Sequence, residues 1–212
     1  MHRRTITVTL VLAILVAAGA LTSAQNSATV TYTIDPSRSK FMAHTGRSGL
    51  LWFKGKGHHL AVSDFSGKVE LTANLIQPAS LRLVVKAASL HETGAAFTEQ
   101  QKQIINKELR EIVLHPDQFP EIVFQSTNVT VTPVKVGSGY NVKLTGDLTL
   151  HGTTRRIEIP AVVTLKENEL TAVGEFSIER DDFKVKATSA AHGMVRVSNK
   201  VKFEFDIVAR RF

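Results

Sequence analysis

The sequence predicts an all-β protein, a closed barrel or sandwich of about eight long antiparallel strands, with a single helix inserted around residues 98–114. Three observations carry this reading. Apolar and polar residues alternate with period two in run after run, short turn-forming segments separate the runs, and only one stretch follows helical spacing. The remaining composition is compatible: 212 residues, 43% hydrophobic and 21% charged, are enough for one sizeable core and exclude collagen-like, coiled-coil and wholly disordered chains.

In chain order, Met1-His2-Arg3-Arg4 is a short basic run followed by the apolar stretch 6–21 and the small residues Thr22-Ser23-Ala24. This pattern predicts an export leader over 1–24, cleaved before Gln25, because the apolar run carries Thr7 and Thr9 and falls short of the ~20 residues a membrane span needs. Arg3-Arg4 would also suit twin-arginine export, to which Thr5-Ile6-Thr7 adds no support. Cleavage removes two arginines and no acid, lowering the formal charge from +7 to +5 and leaving 25–212 as one periplasmic or secreted domain. Strands are expected around 29–34, 39–45 and 56–62, then at Val69, Leu71, Ala73, Leu75 and at Leu81, Leu83, Val85, Ala87. Thr98 and Gln101 form a capping-box pair, Ile104, Ile105, Leu109, Ile112 and Val113 follow at helical spacing, and Pro116 stops the helix. Extended chain returns over 121–132, with a parity switch between Phe124 and Val129 that requires a bulge. The cleanest alternation, Tyr140 to Leu150, is followed by 157–165, 170–178 and 201–207, with Gly137-Ser138-Gly139 and Glu167-Asn168 as turns.

Several function classes are excluded by residue type. Without cysteine there is no thiol nucleophile, disulfide framework, cysteine zinc site or lipidated cysteine. Gly46-Arg47-Ser48-Gly49-Leu50 lacks the last glycine of a nucleophile elbow, His91-Glu92 has no second histidine four residues on, and no phosphate-binding or dinucleotide glycine loop opens the helix. Asp181-Asp182 beside Glu179 and Arg180 reads as a solvated turn. The basic residues are dispersed, so nucleic acid is not an expected partner, and a non-enzymatic role without a cofactor is the expectation.

Tyr32-Thr33-Ile34-Asp35-Pro36, Phe65-Ser66-Gly67, Phe119-Pro120-Glu121-Ile122-Val123-Phe124-Gln125-Ser126, Leu144 through Gly152, and Gly174 through Phe183 occur in this order over nearly the whole of 25–212. Together they resemble the YceI-like family. The resemblance implies a lipocalin-like antiparallel barrel whose interior binds an isoprenoid chain, and export to the periplasm. Gly57-His58-His59-Leu60 is similar to a histidine-containing stretch of one branch, whereas Lys184-Val185-Lys186 lacks a glycine common there.

The expectation drawn from both lines is a carrier or buffer that encloses an isoprenoid or similar amphiphile and makes transient membrane contact. At ~0.8 kcal/mol per methylene, about twenty enclosed carbons are worth ~16 kcal/mol against water, yet transfer from a bilayer is near balanced, which suits shuttling. Phe65, Leu71, Leu83, Val85, Phe124, Leu144, Leu148, Phe176, Phe203 and Phe205 are the candidate lining, unless they fill a solid core, and Ile105 and Leu109 are expected to face the entrance as a lid. Two other readings stand beside it. One is a periplasmic metal or redox protein using His44, His58, His59 and His192, although adjacent His58 and His59 in a strand must point to opposite faces. The other is an interaction module displaying the helix to a membrane partner, with Lys107 or Arg110 exposed and neither ligand nor metal needed. A homodimer is a further expected partner state, separate from these readings.

Overall fold

The computed structural model describes residues 28–49, 55–72, 79–135, 137–186, 188–190 and 195–212. The expected leader 1–24, His192 and the end of the run at Leu75 lie outside them. The strands are β1 Thr29–Ile34, β2 Lys40–Ser48, β3 His58–Val62, β4 Phe65–Thr72, β5 Ala79–Lys86, β6 Leu90–Glu92, β7 Glu121–Pro133, β8 Tyr140–Leu150, β9 Thr153–Lys166, β10 Glu169–Glu179, β11 Ser189–Ala190 and β12 Val195–Arg210. Neighbours pair antiparallel in the order β1-β4-β5-β7-β8-β9-β10-β12, and pairing of β1 with β12 through Thr33↔Arg210 and Ile34↔Ala209 closes the ring. The result is a closed eight-stranded antiparallel barrel, as the alternation and the resemblance led one to expect.

Three of the eight staves are broken in two. β1 and β2, β3 and β4, and β5 and β6 are consecutive halves, and the wall beyond the breaks runs β12-β2-β3-β6. In the first stave Pro36 has no N–H to give to a ladder, and Asp35 accepts the Ser37 N–H instead, so a 3-10 turn replaces the strand over Pro36–Arg38. Residues 33 to 40 therefore run opposite only 210 to 206 of β12. The breaks at Ser63-Asp64 and Ala87–Ser89 lie side by side, bridged where the Ser63 hydroxyl donates to the Ser89 carbonyl and the Ser89 hydroxyl to that of Asp64. The parity switch in β7 is a bulge between Ser126 and Asn128.

Alternation then fixes which face is dry. Val142, Gly146, Leu148 and Leu150 of β8 are buried, and polar neighbours such as Lys143 carry outer-face ion pairs, here to Glu158 at 3.0 Å. Two motif glycines explain themselves on the inner wall: a Cβ on Gly146 would meet the Phe124 ring at 2.6 Å, and one on Gly174 would meet the Phe205 ring at 2.6 Å. Each glycine lets a ring lie flat against the neighbouring strand.

The helical segment departs from expectation in its second half. Thr98 caps α1 Glu99–Glu108 with the expected capping box to Gln101, but Leu109–Leu114 forms a π-helical turn that ends at His115 in the left-handed region, φ 46°. The wider π turn brings Leu109, Val113 and Leu114 to the same side, a set that α spacing would spread round the helix. Ile104 and Ile112, part of the expected apolar stripe, face outward at 60% and 43% exposure. Among the described residues no helix is long and apolar enough to cross a membrane.

Candidate functional site

The barrel is hollow. An almost wholly apolar cavity of about 270 Å³ runs through it, and at ~25–30 Å³ for each water- or methylene-sized group it accommodates on the order of ten non-hydrogen atoms. The predicted lining residues Leu71, Leu83, Val85, Phe124, Leu144, Leu148, Phe176, Phe203 and Phe205 all face it, as do Ile105 and Leu109. Phe65 does not. It sits at the break before β4, buried edge-on against Phe41 with ring centroids 6.0 Å apart, and belongs to the solid part of the core. Phe176 stacks on Phe203 at 4.9 Å, following directly from their cross-strand register.

The ends of the cavity differ. At the end where β1, β9, β10 and β12 meet, buried Tyr32 donates to the Glu167 carbonyl at 3.4 Å, and outside it Arg38 and Arg210 converge on Glu169. Those guanidinium groups hold the Glu169 carboxyl below the usual carboxylate range, the hydrogen bond from Arg38 contributing most. The other end is roofed by the segment between β6 and β7, with Ile105, Leu109, Val113 and Leu114 turned inward.

The roofed end also holds most of the cavity's polar groups: Thr45, His58, Glu108, Arg180, Lys186 and Thr188. His58 is positioned by Glu92, whose side chain is completely buried. Glu92 Oε2 accepts from His58 Nδ1 at 2.8 Å, and Oε1 accepts the backbone N–H groups of His59 at 3.1 Å and Gly94 at 2.7 Å. A buried carboxylate needs such donors. With Nδ1–H directed to Glu92, Nε2 is the ring atom left for a ligand. The Phe97 ring stacks on the imidazole at 5.1 Å, and the Glu92 N–H donates to Asn106 Oδ1 at 2.7 Å, tying the helix to β6.

The histidines do not assemble as the metal reading required. His58 faces the cavity, while His44 and His59 meet Nδ1 to Nδ1 at 2.8 Å on the opposite face of the same wall. His192 lies outside the described residues, among which no group of three or more histidine, aspartate or glutamate side chains is arranged to hold a metal ion. His151 is in a third place, in the β8–β9 turn against Phe119 at 4.3 Å and His115 at 5.6 Å. Burial, helped by the charges of His115 and Lys186, lowers its pKa below the ordinary histidine value. The unfolded chain thus binds a proton on this group before the folded one does, so stability is full above the unfolded value of ~6.5 and declines as pH falls below it. His151→Asn, which tolerates the positive φ of 50°, is expected to flatten urea-melt stability against pH just below 6.5. An unchanged slope would assign the acid sensitivity elsewhere.

Glu92, Thr45, Arg180 and Lys186 are absent from the sequence-predicted set. Glu92 had a readable signal, because Leu90 and Glu92 share a parity and a carboxylate on the dry parity demands donors. Thr45 likewise alternates with the buried Phe41 and Ala43. Arg180 and Lys186 sit in and beside the 3-10 turn Arg180–Phe183, where no periodicity speaks.

A protein-family model described as YceI-like domain matches residues 32–209. Among solved structures, Burkholderia cenocepacia BcnA superposes with a TM-score of 0.62 at 20% identity, covering 82% of this chain and 98% of its own. A polyisoprenoid binding domain from Saccharophagus degradans, implicated in plant cell wall breakdown, gives a TM-score of 0.62 at 14% identity, with 86% and 99% covered. A Campylobacter jejuni YceI protein gives 0.54 at 16% identity, with 71% and 83% covered. No curated protein matches the sequence significantly.

Proposed function

Because the chain belongs to the YceI-like family, we propose that it is an exported binding protein that encloses an isoprenoid or similar amphiphile and carries or buffers it between membranes. The observation that carries this reading is the apolar cavity of about 270 Å³ closed at one end by a helix. A cavity of that size walled by leucine, valine and phenylalanine suits an unbranched or methyl-branched chain, and the polyisoprenoid binding described for the S. degradans domain is in keeping with it. The role is binding without catalysis. Cleavage of 1–24 and release to the periplasm complete the proposal.

Membrane contact is assigned to the outer face of the helix. Ile104 and Ile112 are exposed there, and Lys107 and Arg110 stand beside them to meet anionic head groups. Ile105 and Leu109, on the inner face, act as the lid that contact would displace. Organic extraction of protein purified from its native host, followed by mass spectrometry, is expected to yield a stoichiometric isoprenoid or other long-chain amphiphile. Barrels that extract empty would overturn the carrier reading. Ile105→Ala with Leu109→Ala is expected to change lipid uptake and release rates more than the unfolding midpoint. Unfolding with unchanged exchange rates would make the helix core and not lid.

A further inference from the structure

We propose that the cavity has a lateral opening through the barrel wall between β5 and β7, so that a chain longer than the cavity is held with its far end threaded out between these strands. The inference rests on the enclosed-amphiphile reading and adds the length class of the ligand: linear apolar chains that exceed the cavity, with no upper limit set by its volume.

The wall is built to part at this place. β7 follows β8 from Val123 to Pro133, whereas among the described residues it pairs with β5 only from Lys86↔Glu121 to Arg82↔Gln125. The bulge between Ser126 and Asn128 follows at once, and a bulge bends its strand. Ala79, Ser80 and Leu81 stay laddered to β4 through Leu71, Glu70 and Val69. Where the β5–β7 ladder stops, side chains take over its bonds. The Leu81 N–H donates to the Ser126 hydroxyl at 2.7 Å, and the Gln125 amide donates to the Leu81 carbonyl at 3.4 Å. Both main-chain groups of Leu81 are thereby met, so the two strands can separate beyond it without orphaning them.

The cavity reaches this parting. Its lining includes Ala79, Ser80 and Leu81 in succession, with Val129 on the β7 side. Consecutive strand residues point to opposite faces, so a cavity sealed behind β5 would touch Ala79 and Leu81 alone. Farther along the same strand, where β7 is paired, Leu83 and Val85 line the cavity and Arg82 and Val84 do not. Among the described residues no other strand lines it at two consecutive positions. The Ser80 hydroxyl donates to Glu70 Oε2 at 3.2 Å on the outer face, so the space that touches Ser80 extends round the edge of β5. Capacity gives this opening its use. About ten non-hydrogen atoms fill the cavity, fewer than a chain of three isoprene units carries, and Leu81 and Val129 offer an apolar way out for the remainder.

The chain has no cysteine, so Ser80→Cys puts a single thiol at the opening, and Ser177→Cys puts one on the exposed face of β10 as a reference. In delipidated full-length protein, geranylgeraniol is expected to slow maleimide labelling at Ser80→Cys at least about fivefold, whereas geraniol, half its length and short enough for the cavity, leaves the rate within about twofold. Neither alcohol is expected to change the rate at Ser177→Cys. With pyrene maleimide already attached at Ser80→Cys, geranylgeraniol is expected to bind at least about tenfold more weakly and geraniol within about threefold of the unlabelled protein. Where the label weakens both alcohols alike, the protection ratio alone decides. Equal protection by the two alcohols, protection by neither, slowing at both thiols, or labelled protein that binds both as before overturns the lateral opening and leaves the cavity standing. Binding of neither alcohol by the unlabelled protein overturns the enclosed-amphiphile reading, and the opening with it.

Discussion

Glu92→Ala is expected to lower the unfolding free energy by about 3–5 kcal/mol, enough to drop the melting temperature by roughly 6–20 °C in a domain of this size. Truncation strands the N–H groups of His59 and Gly94 and the Nδ1–H of His58, all of which now donate to one fully buried carboxylate. An unmet buried donor costs about 1–3 kcal/mol. Glu92→Gln is expected to cost less, because its amide oxygen still accepts from the two backbone groups. Its NH2 then faces His58, so the imidazole must accept at Nδ1 and carry its proton on Nε2. Chemical denaturation gives the two free energies, and nitrogen chemical shifts of His58 report the tautomer. A stability loss that is the same for both variants, with the tautomer unchanged, would contradict the positioning role assigned to Glu92.

Filling the cavity is expected to produce the largest functional effect. Ala172→Phe combined with Leu144→Phe places nine additional carbons, close to the roughly ten groups the cavity holds, on β10 and β8, the two strands that flank β9. Displacing even half that number of ligand methylenes at ~0.8 kcal/mol each weakens binding by about 3 kcal/mol, more than a hundredfold. Stability should be retained or should rise, since the new rings occupy a void without displacing packed side chains. The retained lipid, measured after extraction, and the urea midpoint decide the outcome together. Undiminished lipid in a stable double variant would place the ligand outside the barrel.

Much of the barrel was legible because one rule, alternation, dictates both strand and facing. Tyr140 to Leu150, Thr153 to Lys166 and Val195 to Arg210 are long enough for the pattern to dominate, and the parity switch after Phe124 located the β7 bulge. The breaks in three staves were harder to read. Asp35-Pro36 announces a turn, but Ser63-Asp64 and Ala87-Ala88-Ser89 carry no proline or glycine, and their conformation depends on hydrogen bonds between residues more than twenty positions apart. The cavity's apolar wall followed from inward parity, with Phe65 excluded only because Phe41 covers it. The polar end did not follow, since it is assembled from β2, β3, the helix and an irregular turn whose mutual approach is a tertiary fact. His58 and His59 illustrate the boundary: strand geometry predicted their opposite faces, but not that one would find Glu92 and the other His44.

The breaks in β1/β2, β3/β4 and β5/β6 lie side by side, and this alignment has a mechanical consequence. A β-sheet resists bending along its strands through an unbroken lattice of hydrogen bonds, and three adjacent interruptions form a crease across that lattice. Beyond the crease, β2, β3 and β6 make a stiff panel, and the helix is anchored to it by the Asn106 bond to Glu92. Force applied to the outer face of the helix is therefore delivered to the panel as a lever, with its fulcrum at the serine bridges of Ser63 and Ser89. Because β2 stays laddered to the unbroken β12, Thr45 remains with the barrel, and the free edge at β6 with the roof is the part that can swing.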